Sequence, residues 1–362
     1  MKKVKNILFK LDINGNGIIN FDSSEQRFMY YDTNLTNMKT NYNNTSYAKK
    51  RFYKDGDNLT YKLSISSDCL RHNIFDRTVK FQSPNIINNE MLLYSFIASP
   101  TALLRGYLFA NDKETIKRKG PLSIDCAEQT CNAVSSIETF SRSGMKNTDA
   151  DQTDSSFFKK EVVGKIKYAT DGFIDLMQLQ FISCDQIFDR YSFNPDMFGV
   201  YKQFLKTKFP SFESELGYFQ MNGSDVEIPE YGFKLSNENV VLLVRSLFEN
   251  ILMLDIRKAG AFAKTSKLQY KLVYDPIDDT MDSEEGWVTV SSRSDLNAIN
   301  FEVADFYVAE DLNTAKAKRE LIEEDYKQRK EAKLKKTADK KAAKKTAKTP
   351  IEEVNGEIET AE

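Results

Sequence analysis

The chain has 362 residues, is 41% hydrophobic and 12% aromatic, and contains 25 Phe and 17 Tyr. That length admits one large domain or two of roughly 100–200 residues, and that apolar content excludes a chain disordered throughout, a collagen and a coiled coil. The net charge of −2 hides an asymmetry: 14 Lys or Arg face six Asp or Glu between Lys316 and Lys348, Ile351 to Glu362 carries five Glu and no base, and 1–315 holds 37 bases against 42 acids. The folded body is slightly acidic, so any nucleic-acid surface on it must be a local stripe.

No stretch approaches the about 18 unbroken apolar residues of a membrane span, and the start MKKVKNILFKLD breaks at Lys10 and Asp12 before a signal-peptide core is complete. The expectation is a cytoplasmic protein without a membrane partner. Cysteines at 69, 126, 131 and 184 lack CxxC spacing and read as free thiols. The sole histidine, His72, removes Ser-His-Asp, Cys-His and multi-histidine metal chemistry, each of which places an imidazole beside a second group. It reads as a partly exposed helix residue. No P-loop, GxSxG or HExxH is present, and no cofactor is expected.

In chain order, Asp12 to Ser23 imitates a calcium loop at several positions, but Ser23 stands where a bidentate Glu is needed. The preferred reading is a β-hairpin: Ile7, Phe9 and Leu11 alternate with polar residues, Asn14-Gly15-Asn16-Gly17 supplies a tight turn, and Ile18-Ile19 resumes. Lys49-Lys50-Arg51-Phe52-Tyr53-Lys54 interleaves bases with aromatics, a pattern that grips phosphates and stacks bases or simply forms the outer face of a strand. Ser64 to Phe75 reads as a strand end, a Ser or Asp cap and a helix whose free N–H groups suit a phosphate. Met91 to Ile97 is a second helix, and Ser99-Pro100 starts a third.

Two long strands, Ala133 to Arg142 and Phe157 to Tyr168, flank a 14-residue polar run from Ser143 to Ser156, the signature of a projecting hairpin. A buried helix begins at Ser236 and runs through Leu252. Behind it Arg257 to Lys264 reads as a small-residue, cationic loop, followed by a strand from Leu268 to Tyr274. Asp275 to Glu285 is read as solvated charge, with a metal nuclease on Asp275, Asp278 and Asp279 as the remote alternative. Lys316 to Lys348 reads as a solvated helix fraying into a tail.

Ser66-Ser67-Asp68-Cys69-Leu70-Arg71, the run from Phe140-Ser141-Arg142-Ser143-Gly144 to Phe157-Phe158, and Arg257 to Lys264 resemble three landmarks of the RAMP superfamily: a serine-started helix after an early strand, a thumb between strands, and a late basic loop. The resemblance is to its Cas-seven type, the backbone subunit of CRISPR effector (Cascade) complexes. It implies an α+β fold with an RRM-like antiparallel sheet, helices on one face, a thumb-like β-hairpin insertion at about 143–157 and a disordered Lys-rich tail. The expected boundaries are 1–312 for the domain and 313–362 for the tail.

The function so implied is a non-catalytic scaffold polymerising along guide RNA. Its partners would be guide RNA, further copies of itself, other effector subunits, and target nucleic acid through base pairing. Expected RNA contacts are Lys49, Lys50, Arg51, Ser66, Ser67, Arg71, Arg142, Lys146, Arg257, Lys258 and Lys264. The rival from another class is a phage or mobile-element protein that self-assembles without nucleic acid.

Overall fold

The computed structural model describes residues 2–22, 45–55, 58–76, 89–110, 115–143, 155–223, 228–258 and 260–346. The first elements are β1 (Asn6–Asn16), β2 (Phe21–Asp22), β3 (Thr45–Ala48), β4 (Lys50–Asp55), β5 (Asn58–Ile65), α1 (Ser67–Asp76), α2 (Glu90–Ile97) and α3 (Pro100–Arg105). Strands β6 (Tyr107–Ala110), β7 (Thr115–Arg118), β8 (Leu122–Ile124), β9 (Ala127–Gln129), β10 (Ser136–Ser143), β11 (Ser155–Val162) and β12 (Lys165–Asp175) precede α4 (Leu176–Gln180). Then come β13 (Phe181–Asp185), β14 (Arg190–Tyr191), α5 (Phe198–Lys208), β15 (Gly217–Met221), β16 (Glu230–Lys234), α6 (Asn237–Leu252), β17 (Asp255–Lys258) and β18 (Ala261–Val273). The last are β19 (Val288–Val290), α7 (Arg293–Ala298), β20 (Tyr307–Glu310) and α8 (Leu312–Thr346).

The fold is α+β. Its main sheet runs β17-β18-β1-β12-β9-β5-β4, with β19 beside β18 and β8 beside β12. Alternation decides which face is buried: Ile7, Phe9, Leu11 and Ile13 on β1 and Ile166, Tyr168 and Ile174 on β12 all point into the core. Helix α6 lies on that side, with the Phe9 and Phe248 rings edge to face at 6.3 Å. The Ser236 hydroxyl caps it by accepting from the Asn239 N–H at 3.3 Å, and its Val, Leu, Phe and Ile residues are almost all buried, as their all-round apolar pattern predicts. Each such side chain contributes about 1.5–3 kcal/mol.

A second sheet, β14-β13-β16-β15-β20, is filled by aromatics: Phe233 packs on Phe193, Phe198, Tyr201 and Phe212, and Phe181 stacks on Tyr307 at 4.4 Å. A third, β10-β11-β3-β2, includes the antiparallel β10/β11 ladder from Ser136↔Val162 to Ser143↔Ser155.

The structure corrects three expectations. Asn14-Gly15-Asn16 is not a turn. These residues end β1, which is laddered to β12 on one edge and β18 on the other. Two ladders outweigh the local turn preference, and Gly15 serves close packing: a Cβ there would lie 3.0 Å from the Phe262 carbonyl oxygen. An extended strand also cannot wrap a cation, which removes the calcium loop. Arg257 to Lys264 is not a loop either, but the β17/β18 hairpin, turning at Gly260 with φ of 75°. Finally, the chain does not leave the body at 313. Helix α8 docks by its first turns: Ala315 is fully buried, and Arg319 reaches the buried Asp185 carboxylate with both Nη atoms and donates to the Pro229 carbonyl at 2.7 Å. One long, paired cation inserted beneath Tyr218 holds a segment whose apolar content is low.

Candidate nucleic-acid interface

The face of the main sheet turned away from α6 carries the even-numbered residues of β1 and their partners. Register places Lys165, Asn16, Phe262 and Arg257 opposite one another across β12, β1, β18 and β17. The next row is Lys167, Asn14, Lys264 and Asp255, and Lys267 stands opposite Asp12 beyond it. Adjacent strands lie about 4.8 Å apart, so the rows span about 14 Å. Lys165, Lys167, Arg257, Lys264 and Lys267 are all exposed, and Phe262 keeps 45% of its surface accessible among them.

The acids here are fewer than the bases. Asp255 accepts from Arg257 Nε at 3.0 Å and Nη2 at 2.7 Å, and its Oδ2 lies 3.7 Å from Lys264 Nζ. These bonds raise the Arg257 guanidinium above its usual pKa. The other end of the same face is more acidic and only partly overlaid: Lys10 Nζ sits 4.4 Å over the Trp287 ring, partial burial raises the Asp171 carboxyl, and Phe173 stays 41% exposed. Among the described residues of this face, bases not matched by acids gather at the β17/β18 end around the exposed Phe262 ring, whereas Arg51 and Lys62 at the β4/β5 end face Asp125 and Glu128.

A second cluster meets that end from the helix side. Strand alternation sends Arg257 to the open face and Lys258 the other way, toward α1. There Ser66 Oγ caps α1 by accepting from the Cys69 N–H at 3.3 Å and receives Asn20 Nδ2 at 3.4 Å. Burial pushes the Cys69 thiol up, while Lys258, Asn20, Asn73 and Lys49 act to lower it, and the Lys49 N–H donates to the Asn20 carbonyl at 2.8 Å. The arrangement offers cations and N–H groups to a polyanion on the hairpin's two sides.

Of the expected contacts, Arg257 and Lys264 share the open face, Lys49, Ser66, Ser67 and Lys258 lie on the α1 side, and three others are tied to internal partners. Lys50 is only 13% exposed, with its Nζ 2.7 Å from the buried Glu161 and 4.4 Å from the Tyr61 ring centre. Glu161 also accepts from the Ala48 N–H at 2.8 Å and from the Ser135 hydroxyl, so Lys50 joins the third sheet to the first. Arg51 Nη1 lies 2.7 Å from Glu128 and 3.1 Å from Asp125, which compensates its charge. Burial and the bond to Glu128 push the nearby Tyr53 phenol up to about 12. Arg71 donates to the Arg105 carbonyl at 2.9 Å, tying α1 to α3. Arg142 stands on β10 opposite Ser156, and Lys146 lies outside the described residues.

Sequence reasoning missed Asn14, Asn16, Lys165, Lys167, Phe262 and Lys267. The Lys165-x-Lys167 alternation was a signal, but its meaning depends on which strands flank it. The acidic segment does turn-building: Asp279 Oδ2 accepts from the Tyr274 and Asp275 N–H groups, and Asp275 Oδ1 from that of Ile277. Among the described residues no three His, Cys, Asp or Glu side chains converge as metal ligands.

An α+β chain with a basic end to its open sheet is the class these observations define. The chain belongs to the family of Type I-Fv CRISPR-associated Cas7fv-like proteins, whose pattern it matches over residues 3–302. That is the Cascade backbone type expected from Ser66 to Arg71, the polar insertion and Arg257 to Lys264. Among solved structures, a chain of a "CRISPR RNA-guided surveillance complex, pre-nicking" aligns at 5% identity over 73% of this chain and 77% of that one, with a TM-score of 0.36. No curated protein matches. Among the described residues no helix is long and apolar enough to cross a membrane.

Proposed function

We propose that this protein is a non-catalytic scaffold that binds guide RNA and polymerises along it in a CRISPR effector complex in the cytoplasm. The observation that carries the reading is the two-row patch around Phe262, in which Lys165, Lys167, Arg257, Lys264 and Lys267 outnumber the acid Asp255. Family membership supplies the context. The strand order β18-β1-β12-β8, with α1 and α6 on the buried side, supports an RRM-like core, and the β10/β11 ladder supports a thumb-like hairpin. Guide RNA, further copies of the chain, other effector subunits and base-paired target are the partners in this reading.

Phosphate contacts of this kind bind every RNA sequence alike and are salt-sensitive. Replacing Lys165, Lys167, Lys264 and Lys267 together by Ala is expected to flatten the slope of log K against log[salt] for single-stranded RNA by about three units, at about 0.7 per contact. Fluorescence anisotropy on RNAs of unrelated sequence measures this. An unchanged slope places the groove elsewhere, and a wild-type protein that binds no RNA even with its neighbours co-expressed replaces the scaffold by the self-assembling alternative.

A further inference from the structure

The family match ends at residue 302, so α8 lies beyond it. The helix has 35 residues, a length of about 52 Å at about 1.5 Å per residue. Its charge pattern changes along that length. Near the root, bases and acids interleave and pair: Arg319 with Glu323, and Arg329 with Asp325, each one turn apart. Tyr326 and Lys330 both donate to Gln186 Oε1, extending the dock. From Lys327 to Lys348 there are 11 Lys or Arg and only two acids, Glu331 and Asp339.

Arg329, Lys333 and Lys336 recur at spacings of four and three and so share one exposed face of α8, with Glu331 off it, and the sequence continues the same spacing at Lys340 and Lys344. Like charges at such spacings destabilise an isolated helix by about 0.2–0.5 kcal/mol each. A helix that only needed solubility would keep the interleaved pattern of its own first half. After Tyr326 the sequence has no Phe, Tyr or Trp, so the segment lacks the stacking platforms that hold single strands.

We propose that the second half of α8 is a binding surface for duplex DNA, anchored to the body through Arg319 and Asp185. A straight stripe of cations fits the regular phosphate rows of a duplex, which carry about one charge per 1.7 Å of axis. DNA fits better than RNA because the B-form major groove, about 12 Å wide, admits an α-helix, whereas the A-form groove is too narrow. The stripe holds no Asn or Gln to read base edges, so binding is independent of sequence.

The test uses the full-length protein, a 30-base-pair DNA duplex, the same duplex in RNA, and single-stranded RNA, with Lys333, Lys336, Lys340 and Lys344 changed together to Gln. Four lost contacts at about 0.9 each flatten the duplex-DNA salt slope by about 3.6 units. Affinity for duplex DNA at low salt is expected to fall at least tenfold, and that for single-stranded RNA, held on the sheet, to stay within twofold. The corresponding Lys→Arg variant should keep wild-type DNA affinity, and unchanged far-ultraviolet circular dichroism shows that the helix persists. Duplex-DNA binding unaltered in the Gln variant, equal loss on single-stranded RNA, tighter binding of duplex RNA, or no duplex binding by wild type overturns the proposal. The sheet-face substitutions read single-stranded RNA instead, so failure of one reading is distinct from failure of the other.

Discussion

Glu161 shows how a residue's neighbours override its type. Its carboxylate is 4% exposed, and burial alone would raise its pKa; Lys50, the Ser135 hydroxyl and the Ala48 N–H together hold it below the usual carboxylate range. A depressed folded-state pKa adds stability that is fully present above the unfolded value, about 4.3, and is lost as pH falls through the folded value. The stability gap between wild type and Glu161→Gln, measured by urea unfolding, is therefore expected to be constant from pH 7 to about 5 and to shrink below about 4.3. A gap that widened on acidification would show that Lys50 does not hold this carboxylate. Gly172 is fixed just as tightly: a Cβ there would sit 2.3 Å from Phe9 Cζ and 2.6 Å from the Ser123 carbonyl oxygen. Gly172→Ala is expected to cost at least about 1–3 kcal/mol by overpacking, read as a lower urea midpoint. Neither constraint is legible in the sequence, where Glu161 and Gly172 are ordinary residues of polar strands.

At the scale of elements, three helix starts and the β10/β11 pair were readable, whereas α5, α7 and the pairings of β1 were not. Ser66, Ser99-Pro100 and Ser236 marked three helix starts because a cap acts within one turn, and the structure has α1, α3 and α6 there. The Asn14-Gly15-Asn16-Gly17 turn signal failed because β12 and β18 occupy both edges of β1. The tail boundary failed for a related reason: one Arg, 6% exposed against a 2% exposed Asp, docks a helix that composition describes as solvated. Arg319→Ala leaves the buried Asp185 carboxylate without a cation, held only by the Tyr231 and Ile187 N–H groups, a change expected to destabilise by up to about 3–5 kcal/mol. Truncation after Asn313 should therefore lower the melting temperature by several degrees, while truncation after Lys336 should leave it unaltered. Calorimetry of the two truncations distinguishes a docked helix root from a wholly solvated tail.

For the whole molecule, the proposed assembly predicts stoichiometry. If copies line up along one RNA, the mass of the complex in sedimentation should grow stepwise with RNA length, and the Lys165, Lys167, Lys264 and Lys267 variant should lose that growth while its own fold persists. A mass independent of RNA length would separate binding from polymerisation.

Composition by itself determined that the chain is not disordered throughout and that residues 1–315 are slightly acidic. Local patterning determined the helix caps, the buried α6 and, through short motifs, the family. Only the tertiary structure decided which bases lie on one face. Lys50 and Arg71 are tied to internal partners, while Lys165, Lys167, Lys264 and Lys267 converge from strands nearly a hundred residues apart in sequence. The physical reason is that caps and periodicity act over a few residues, whereas register between strands is set by long-range burial. A strand's outer lysines gain a common purpose only once their neighbours are fixed.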